Sequence, residues 1–205
     1  LFLTYYFQVN LGYTPLEAGF AFLPFSLGII IAAGFVSQLL PRVGPRALIL
    51  PGLVMAIVGM LLLTQIDQDS SYWVLVFPAM VIMSVGLAGV FIPAASTSLI
   101  GVESHDAGVA SATLNTSQQI GGSLGTALLN TVFAGAVTAY FITNPPTSPG
   151  QAGQILPLAF IHGYHVAFFW GAALFACALI ASIVLINAHK EDIPAEPAAL
   201  GEAVD

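Results

Sequence analysis

The chain has 205 residues, 58% of them hydrophobic and only 6% charged. Soluble domains carry about 25% charged residues, so a water-soluble globule is excluded. Three basic residues against ten acidic ones leave a net charge of −7 and no electrostatic footing for nucleic-acid binding.

Five apolar runs have the length of a bilayer crossing, which takes about 20 residues of helix. The expected fold is therefore all-α, a polytopic transmembrane helix bundle over residues 1–187 in contact with the lipid bilayer. Residues 188–205 read as an acidic, disordered tail with Pro194 and Pro197. The lone cysteine, Cys177, lies in an apolar run and builds neither a disulfide framework nor a metal site.

Residues 1–8 read as the last turns of a helix already under way, with Tyr5, Tyr6 and Phe7 at interface depth. The chain begins with Leu1 rather than Met and reads as a piece that starts mid-protein. Residues 10–15, NLGYTP, form a turn. The next helix covers about 14–40. Pro24 should kink it, and Gly28, Ala32 and Gly34 give it a small face. PRVGPR at 41–46 reads as a tight basic turn. A helix apolar all round follows over 47–64, then a polar loop to Ser71. The helix over 72–100 carries Gly86, Gly89, Pro93, Ser96 and Thr97 on one side. The loop GVESHD leads into a helix over 107–140. Residues 143–154, TNPPTSPGQAGQ, show no helical period and read as a loop, with 157–164 as a lead-in. The last helix covers about 165–187.

The helix over 107–140 has an unusual polar face. At about 100° per residue, Gly108, Ser111, Asn115, Gln118, Gln119, Gly122, Thr126 and Asn130 share a stripe roughly 120° wide. Ile120, Leu124 and Leu128 lie opposite. A soluble amphipathic helix would place Lys and Glu on that stripe. Neutral amides, hydroxyls and glycines belong instead to a helix in lipid whose polar side faces protein or a water-filled cavity. Ser111, Asn115, Gln118, Gln119 and Thr126 are the expected cavity residues. Interhelical hydrogen bonding alone is the plainer alternative. Gly121 and Gly125, with Gly122 beside them, permit close approach of a neighbouring helix.

No catalytic pair stands out. His105 and Asp106 sit in a loop without a nucleophile elbow, so no enzyme and no cofactor are expected. His162 and His165 have the spacing of a metal pair, but no carboxylate or thiol accompanies them, and no metal is expected. Phe168, Phe169 and Trp170 read as a lipid-facing and interfacial cluster. From Ala107 to Ala188 there is no Asp, Glu, Lys or Arg, and the earlier helix interiors have none either. Proton relays use such groups at depth, and this chain offers none there. The three cations, Arg42, Arg46 and Lys190, fall on one side if each helix crosses once. The positive-inside rule makes that side cytoplasmic, together with the C-terminus, in a multi-pass protein of the cell membrane.

The turn at 41–46 resembles the loop motif of the major facilitator superfamily, whose pattern runs Gly-x-Leu-Ala-Asp-Arg-x-Gly-Arg-Arg. It maps onto Ser37, Leu39, Leu40, Pro41, Arg42, Gly44, Pro45 and Arg46. The motif Asp is Pro41 here and the first Gly is Ser37, so the motif's charge relay is not carried over. GYTPLEAGFAFLPFSLG and AGVASATLNTSQQIGGSLGTAL resemble the C-terminal half of the fourteen-helix drug:proton antiporters of that superfamily. The resemblance implies export of amphipathic drugs by proton antiport with alternating access. It implies as partners a missing N-terminal half, a drug-like substrate and protons. The helices over 14–40 and 107–140 would then face the missing half, with Gly28, Pro93, Gly121, Gly122 and Gly125 at a packing and rocking interface. The helix over 72–100 would line the cavity, and those over 47–64 and 165–187 would face lipid. Rival readings are an uptake permease of the same fold, a non-transporting membrane scaffold and an intramembrane enzyme.

Overall fold

The computed structural model describes residues 1–99, 101–103, 105–146 and 149–185. The tail over 188–205, with Lys190, lies outside the described residues. So do Ile100, Ser104 and the final residues 186–187 expected of the last helix. Among the described residues there are only helices, and five helical segments are long and apolar enough to cross a membrane.

Helix α1 (Phe2–Tyr5) continues as a π-helical turn over Tyr6–Asn10 and ends in a turn where Gly12 has φ 68°. Thr14 then caps α2 (Pro15–Ala21). Its hydroxyl accepts from the Glu17 amide at 3.3 Å, and its own amide donates to Glu17 Oε2 at 2.8 Å, closing a capping box. The chain breaks at Phe22 and restarts as α3 (Leu23–Val43). Pro24 explains the break, because it lacks an N–H and crowds the preceding turn. The Phe25 amide turns to the Phe22 carbonyl, 3.1 Å away, so the Ala21 carbonyl has no helical donor. The Tyr72 hydroxyl supplies one at 2.8 Å.

The basic turn is shorter than expected. α3 runs through Pro41 and Arg42 to Val43, and Gly44 alone separates it from α4 (Pro45–Leu63). Gly44 has φ 84°, open to glycine at little cost, and Pro45 starts the next helix where its missing N–H does no harm. A second π-helical turn, Tyr72–Val76, leads into α5 (Phe77–Ser98), and α6 covers Ala107–Thr143. The last helix, α7, covers Pro149–Leu185 and corrects the expectation of a loop to residue 154 and a helix from about 165. Proline in a first turn costs little, and burial of Ala159, Ile161 and Tyr164 holds the helix together across Pro157. His162 and His165 therefore lie within a helix rather than at its end. The His162 ring lies 5.6 Å from Tyr140, and His165 Nε2 bonds the Ile66 carbonyl.

The helices alternate in direction. One end of the bundle gathers the turn at 10–14, the loop at 65–71 and residues 144–146. The other gathers Arg42, Gly44, Arg46, the loop before α6 and the end of α7. Arg46 fastens this second end, since its Nη2 donates to the Ile183 carbonyl at 3.1 Å.

The tightest packing is between α4 and α5. A Cβ at Gly52 would lie 2.7 Å from the Gly86 carbonyl oxygen, and one at Gly86 would lie 2.6 Å from that of Gly52. Gly59 meets Met83 one face further along, and Gly89 sits against the Leu48 carbonyl. The reading of α4 as apolar all round thus missed its small face, Gly52, Ala56 and Gly59, all buried. α3 lies on α5 with Gly28 directly against Ser84. α7 joins α4 through Gly171 and Met60, and α6 joins α7 through Phe133 and Val137 against Gly163. An aromatic plug fills the bundle towards the first end. Tyr6 and Tyr164 meet edge to face at 6.0 Å, and Phe133 stacks on Tyr164 at 5.3 Å. Tyr6 and Phe7 are fully buried rather than interfacial, because the π-helical turn carries both into this plug. Phe168 also belongs to it, edge-on to Phe2 at 6.1 Å, whereas Phe169 and Trp170 are exposed.

Gly86→Ala pushes a methyl group onto the Gly52 carbonyl and is expected to destabilise the bundle by about 1–3 kcal/mol. At Gly34 an added Cβ meets nothing within 4 Å. Gly34→Ala should therefore be neutral or stabilise by about 0.5–1 kcal/mol. Unfolding midpoints in detergent check the pair, and equal midpoints would mean that the crossing is not tight.

Candidate functional site

α6 is the least buried of the membrane-length helices. Among its residues only Phe133 is buried. Towards its end, Phe133 and Val137 hold it on α7. Phe133 falls within the angular range of the polar stripe, so the amides nearer the start of α6 point to the same side of the helix. There the bundle leaves space rather than a neighbour.

A cavity of about 640 Å³ occupies part of that space, lined by Leu1, Tyr5, Gln119, Gly122, Ser123, Thr126, Ala127 and Asn130. Of the expected residues, the structure brings Gln119, Gly122 and Thr126 together here. Asn115 and Gln118 lie outside this lining, exposed and nearer the start of α6, and Ser111 is half-buried there. Sequence reasoning had put Asn130 on the stripe, but passed over Ser123 and had no signal for Tyr5, which comes from α1.

The polar groups of α6 fall into two kinds. Thr113, Thr116, Ser117 and Thr131 donate to carbonyls four residues back at 2.8–2.9 Å and so are satisfied within the helix. The side-chain amides of Asn115, Gln118, Gln119 and Asn130 have no hydrogen-bond partner among the described residues, so bonding between the described helices does not account for them. Each offers two donors and a carbonyl acceptor. The cavity can therefore orient a polar molecule through neutral hydrogen bonds. Among the described residues its lining has no Asp, Glu, His or Cys side chain.

The glycines divide in the same way. Gly28 makes a close contact within the bundle, and Pro93 is fully buried one turn beyond Gly89. Gly121, Gly122 and Gly125 would have nothing within 4 Å of an added Cβ, so none of the described helices approaches them. Of the basic turn, Arg46 binds the end of α7, Gly44 makes the bend, and Arg42 is exposed. The acids with a described place sit at helix ends or in loops: Glu17 in the first turn of α2, Asp67 and Asp69 before α5, and Glu103 and Asp106 before α6. His105 lies within 3.4 Å of Glu103 and 3.3 Å of Asp106 in that exposed loop. Among the described residues no group of three or more His, Cys, Asp or Glu side chains is arranged to hold a metal ion.

A second concavity went unread in the sequence. It is an apolar groove of about 1100 Å³ between α2–α3 on one side and the Tyr72–Val76 turn with α5 on the other. It shares no residue with the α6 cavity.

Comparison with known proteins places these features in a family. The sequence model of the Major Facilitator Superfamily matches residues 1–126. A puromycin resistance protein of Streptomyces alboniger is 39% identical, over 93% of this chain and 38% of its own length. A lincomycin resistance protein of Listeria monocytogenes is 28% identical, over 92% of this chain and 39% of its own. A cephamycin export protein of Amycolatopsis lactamdurans is 31% identical, over 94% and 36% respectively. The chain thus spans less than two-fifths of the length of these relatives. The family match starts at the first residue, runs through the basic turn and α5, and reaches Thr126 within the α6 cavity; covering more than half of the chain, it shows that the chain belongs to the major facilitator superfamily of membrane transporters.

Proposed function

We propose that this chain is the C-terminal half of a multidrug exporter that works by alternating access and proton antiport. The observation that carries the reading is the row of unpartnered amides on α6, on a membrane-length helix with no charge in it. Lipid cannot satisfy those groups, so they face water, a ligand or a second bundle. Asn115, Gln118 and the cavity residues Gln119 and Thr126 would hold the drug, with Ser111 at the entrance. The open glycines, Gly121, Gly122 and Gly125, would let a second bundle approach α6 and rock against it. Gly28 and Pro93 would belong to the rigid body that moves. The resistance and export named for the relatives support a drug-like substrate.

Proton coupling needs a group that gains and loses a proton within the membrane. Burying a carboxylate at mid-depth costs about 2.5–3.5 kcal/mol on insertion scales, so such a group would stand out. The five acids with a described place are all at helix ends or in loops. The coupling acid would therefore come from the partner bundle. The end of the bundle with Arg42 and Arg46 would face the cytoplasm of a cell-membrane protein, by the positive-inside rule.

Gln119→Leu and Asn115→Leu are expected to change the drug profile of the full-length protein more than Leu124→Ala, because Leu124 lies on the opposite side of α6. Resistance profiles at matched expression test this, and identical profiles for all three would return the amides to a packing role.

Orientation has its own test. With the exposed Cys177 replaced by Ala, a cysteine at Glu103 should react only with reagents admitted to the cytoplasm, and one at Gln68 from outside. External labelling at position 103 in intact cells would reverse the orientation.

Vesicles holding only the 205-residue chain should show no dye movement driven by a pH gradient. Movement above that of empty vesicles, abolished by an uncoupler, would refute the assignment of the coupling acid to a partner bundle.

A further inference from the structure

One wall of the α6 cavity does not belong to α6. Leu1 and Tyr5 supply it, one helical turn apart, with the Tyr5 amide donating to the Leu1 carbonyl at 3.2 Å. The helix that carries Tyr5 has four residues and no side-chain cap, too short to be stable by itself. Its place is set by the contacts that follow it in the chain.

Those contacts are of two kinds. Phe2, Tyr6 and Phe7 belong to the aromatic plug. Ring packing of this sort sets how deep α1 sits, but it sums many small dispersion contacts and does little to fix rotation about the helix axis. Hydrogen bonds are directional and can fix it. The Tyr6 hydroxyl, on a fully buried side chain, donates to the Asp67 carbonyl at 3.0 Å, with the Ser70 carbonyl 3.5 Å away. Asn10 Nδ2 donates to the Pro157 carbonyl at 3.5 Å, the longest reach of such a bond. The hold at Tyr6 is therefore the firmer one. The loop that receives it is itself braced. The Asp67 amide donates to Ser70 Oγ at 2.8 Å, the Ser70 amide donates to the Asp67 carbonyl at 3.2 Å, and His165 of α7 bonds the Ile66 carbonyl.

Tyr5 and Tyr6 are consecutive, about 100° apart around the helix. Any rotation of Tyr6 about the axis turns Tyr5 by the same angle. Tyr164 offers an internal comparison. It meets Tyr6 edge to face in the same plug, and its hydroxyl is buried with no hydrogen-bond partner among the described residues.

We propose that Tyr6 is a positioning residue for the α6 cavity. Its bond to the Asp67 carbonyl fixes the rotation of α1 and so turns Tyr5 towards Gln119 and Asn130. The loop between α4 and α5, which lines no part of the cavity, thereby governs what the cavity accepts. The role in recognition rests on the reading of the α6 cavity as a drug site; the clamp itself does not.

Two measurements on the full-length protein test this. The first places spin labels at Leu1→Cys and at Ile180→Cys on α7, both exposed, with native cysteines replaced. Tyr6→Phe keeps the ring and deletes the hydroxyl, and it should broaden the distance distribution. Tyr164→Phe makes the same chemical change without breaking a bond and should leave the distribution as it is. The second follows ethidium efflux from cells. Tyr5→Leu and Tyr6→Phe should each raise KM by about three- to tenfold with the maximal rate kept, and Tyr164→Phe should keep the original KM. Because Tyr6 acts through Tyr5, the double variant should be no worse than Tyr5→Leu alone. An unchanged distribution in Tyr6→Phe overturns the clamp, as does equal broadening in Tyr164→Phe. Multiplying losses in the double variant would make Tyr6 a merely structural residue. Distances that change as expected, with the ethidium KM unmoved by Gln119→Leu, would overturn the role in recognition through failure of the drug-site reading rather than of the clamp.

Discussion

Where α4 crosses α5, two backbones meet with almost nothing between them. In water, burial of apolar side chains would hold such a pair. In lipid that force is absent, because the surroundings are as apolar as leucine. What remains is van der Waals contact, and contact is greatest where side chains are smallest. Gly52 against Gly86, with Gly89 beside Leu48 and Gly59 beside Met83, brings the two helices to that limit. The other helices are arranged around this pair. α3 reaches it through Gly28 on Ser84 of α5, and α7 through Gly171 on Met60 of α4. α6 attaches mainly to α7, with Phe133 also against Phe2 of α1, and so stands furthest from the centre.

The same solvent explains how the chain treats its irregularities. An unpaired backbone group costs several kcal/mol in hydrocarbon, so every break needs a replacement partner. At the Pro24 break the replacement is the Tyr72 hydroxyl on the Ala21 carbonyl. In the last described turn of α7, Arg46 donates to the Ile183 carbonyl. The Asp67 carbonyl, in a loop, takes the hydroxyl of Tyr6 at 3.0 Å. Each donor comes from another part of the sequence, so the breaks also lock the bundle together. This links the local chemistry of Pro24 to the shape of the apolar groove, since the hydroxyl that closes the break belongs to the groove wall.

The fold class was legible because it rests on composition. Long uncharged runs between Pro, Gly and Asp-rich turns leave few alternatives to a helical membrane bundle. Among the details that were not legible, two have a clear physical reason. The sequence at 143–154 has loop composition, yet Pro149 begins a helix. Tertiary burial of Ala159, Ile161 and Tyr164 outweighs the weak local preference of its first turns. Phe168 next to Phe169 and Trp170 could not be sorted by hydrophobicity, because lipid and core are alike to an aromatic ring. Only the position of Phe2, far away in sequence, decides which of the three is buried. At the site, the stripe on α6 could be read from helical period alone. Tyr5 could not, since it is brought in by a different helix. Nor could the groove, which depends on a helix break and a π-helical turn facing each other.

The two concavities also divide the chain by kind of polarity. α6 offers many neutral polar groups and no charge, and the groove offers one charge and hardly any neutral polar group. These call for different surroundings. An uncharged amide loses on the order of 1–3 kcal/mol if buried without a partner, so the α6 face requires water, polypeptide or a hydrogen-bonding ligand against it at all times. Apolar groove walls carry no such requirement and can be covered by lipid. Glu17 reconciles the groove with its single charge by standing in the first turn of α2, at the rim, where it remains exposed to water. The closely packed pair α4–α5 lies between helices that face outward on different terms, α3 towards anything apolar and α6 towards something polar.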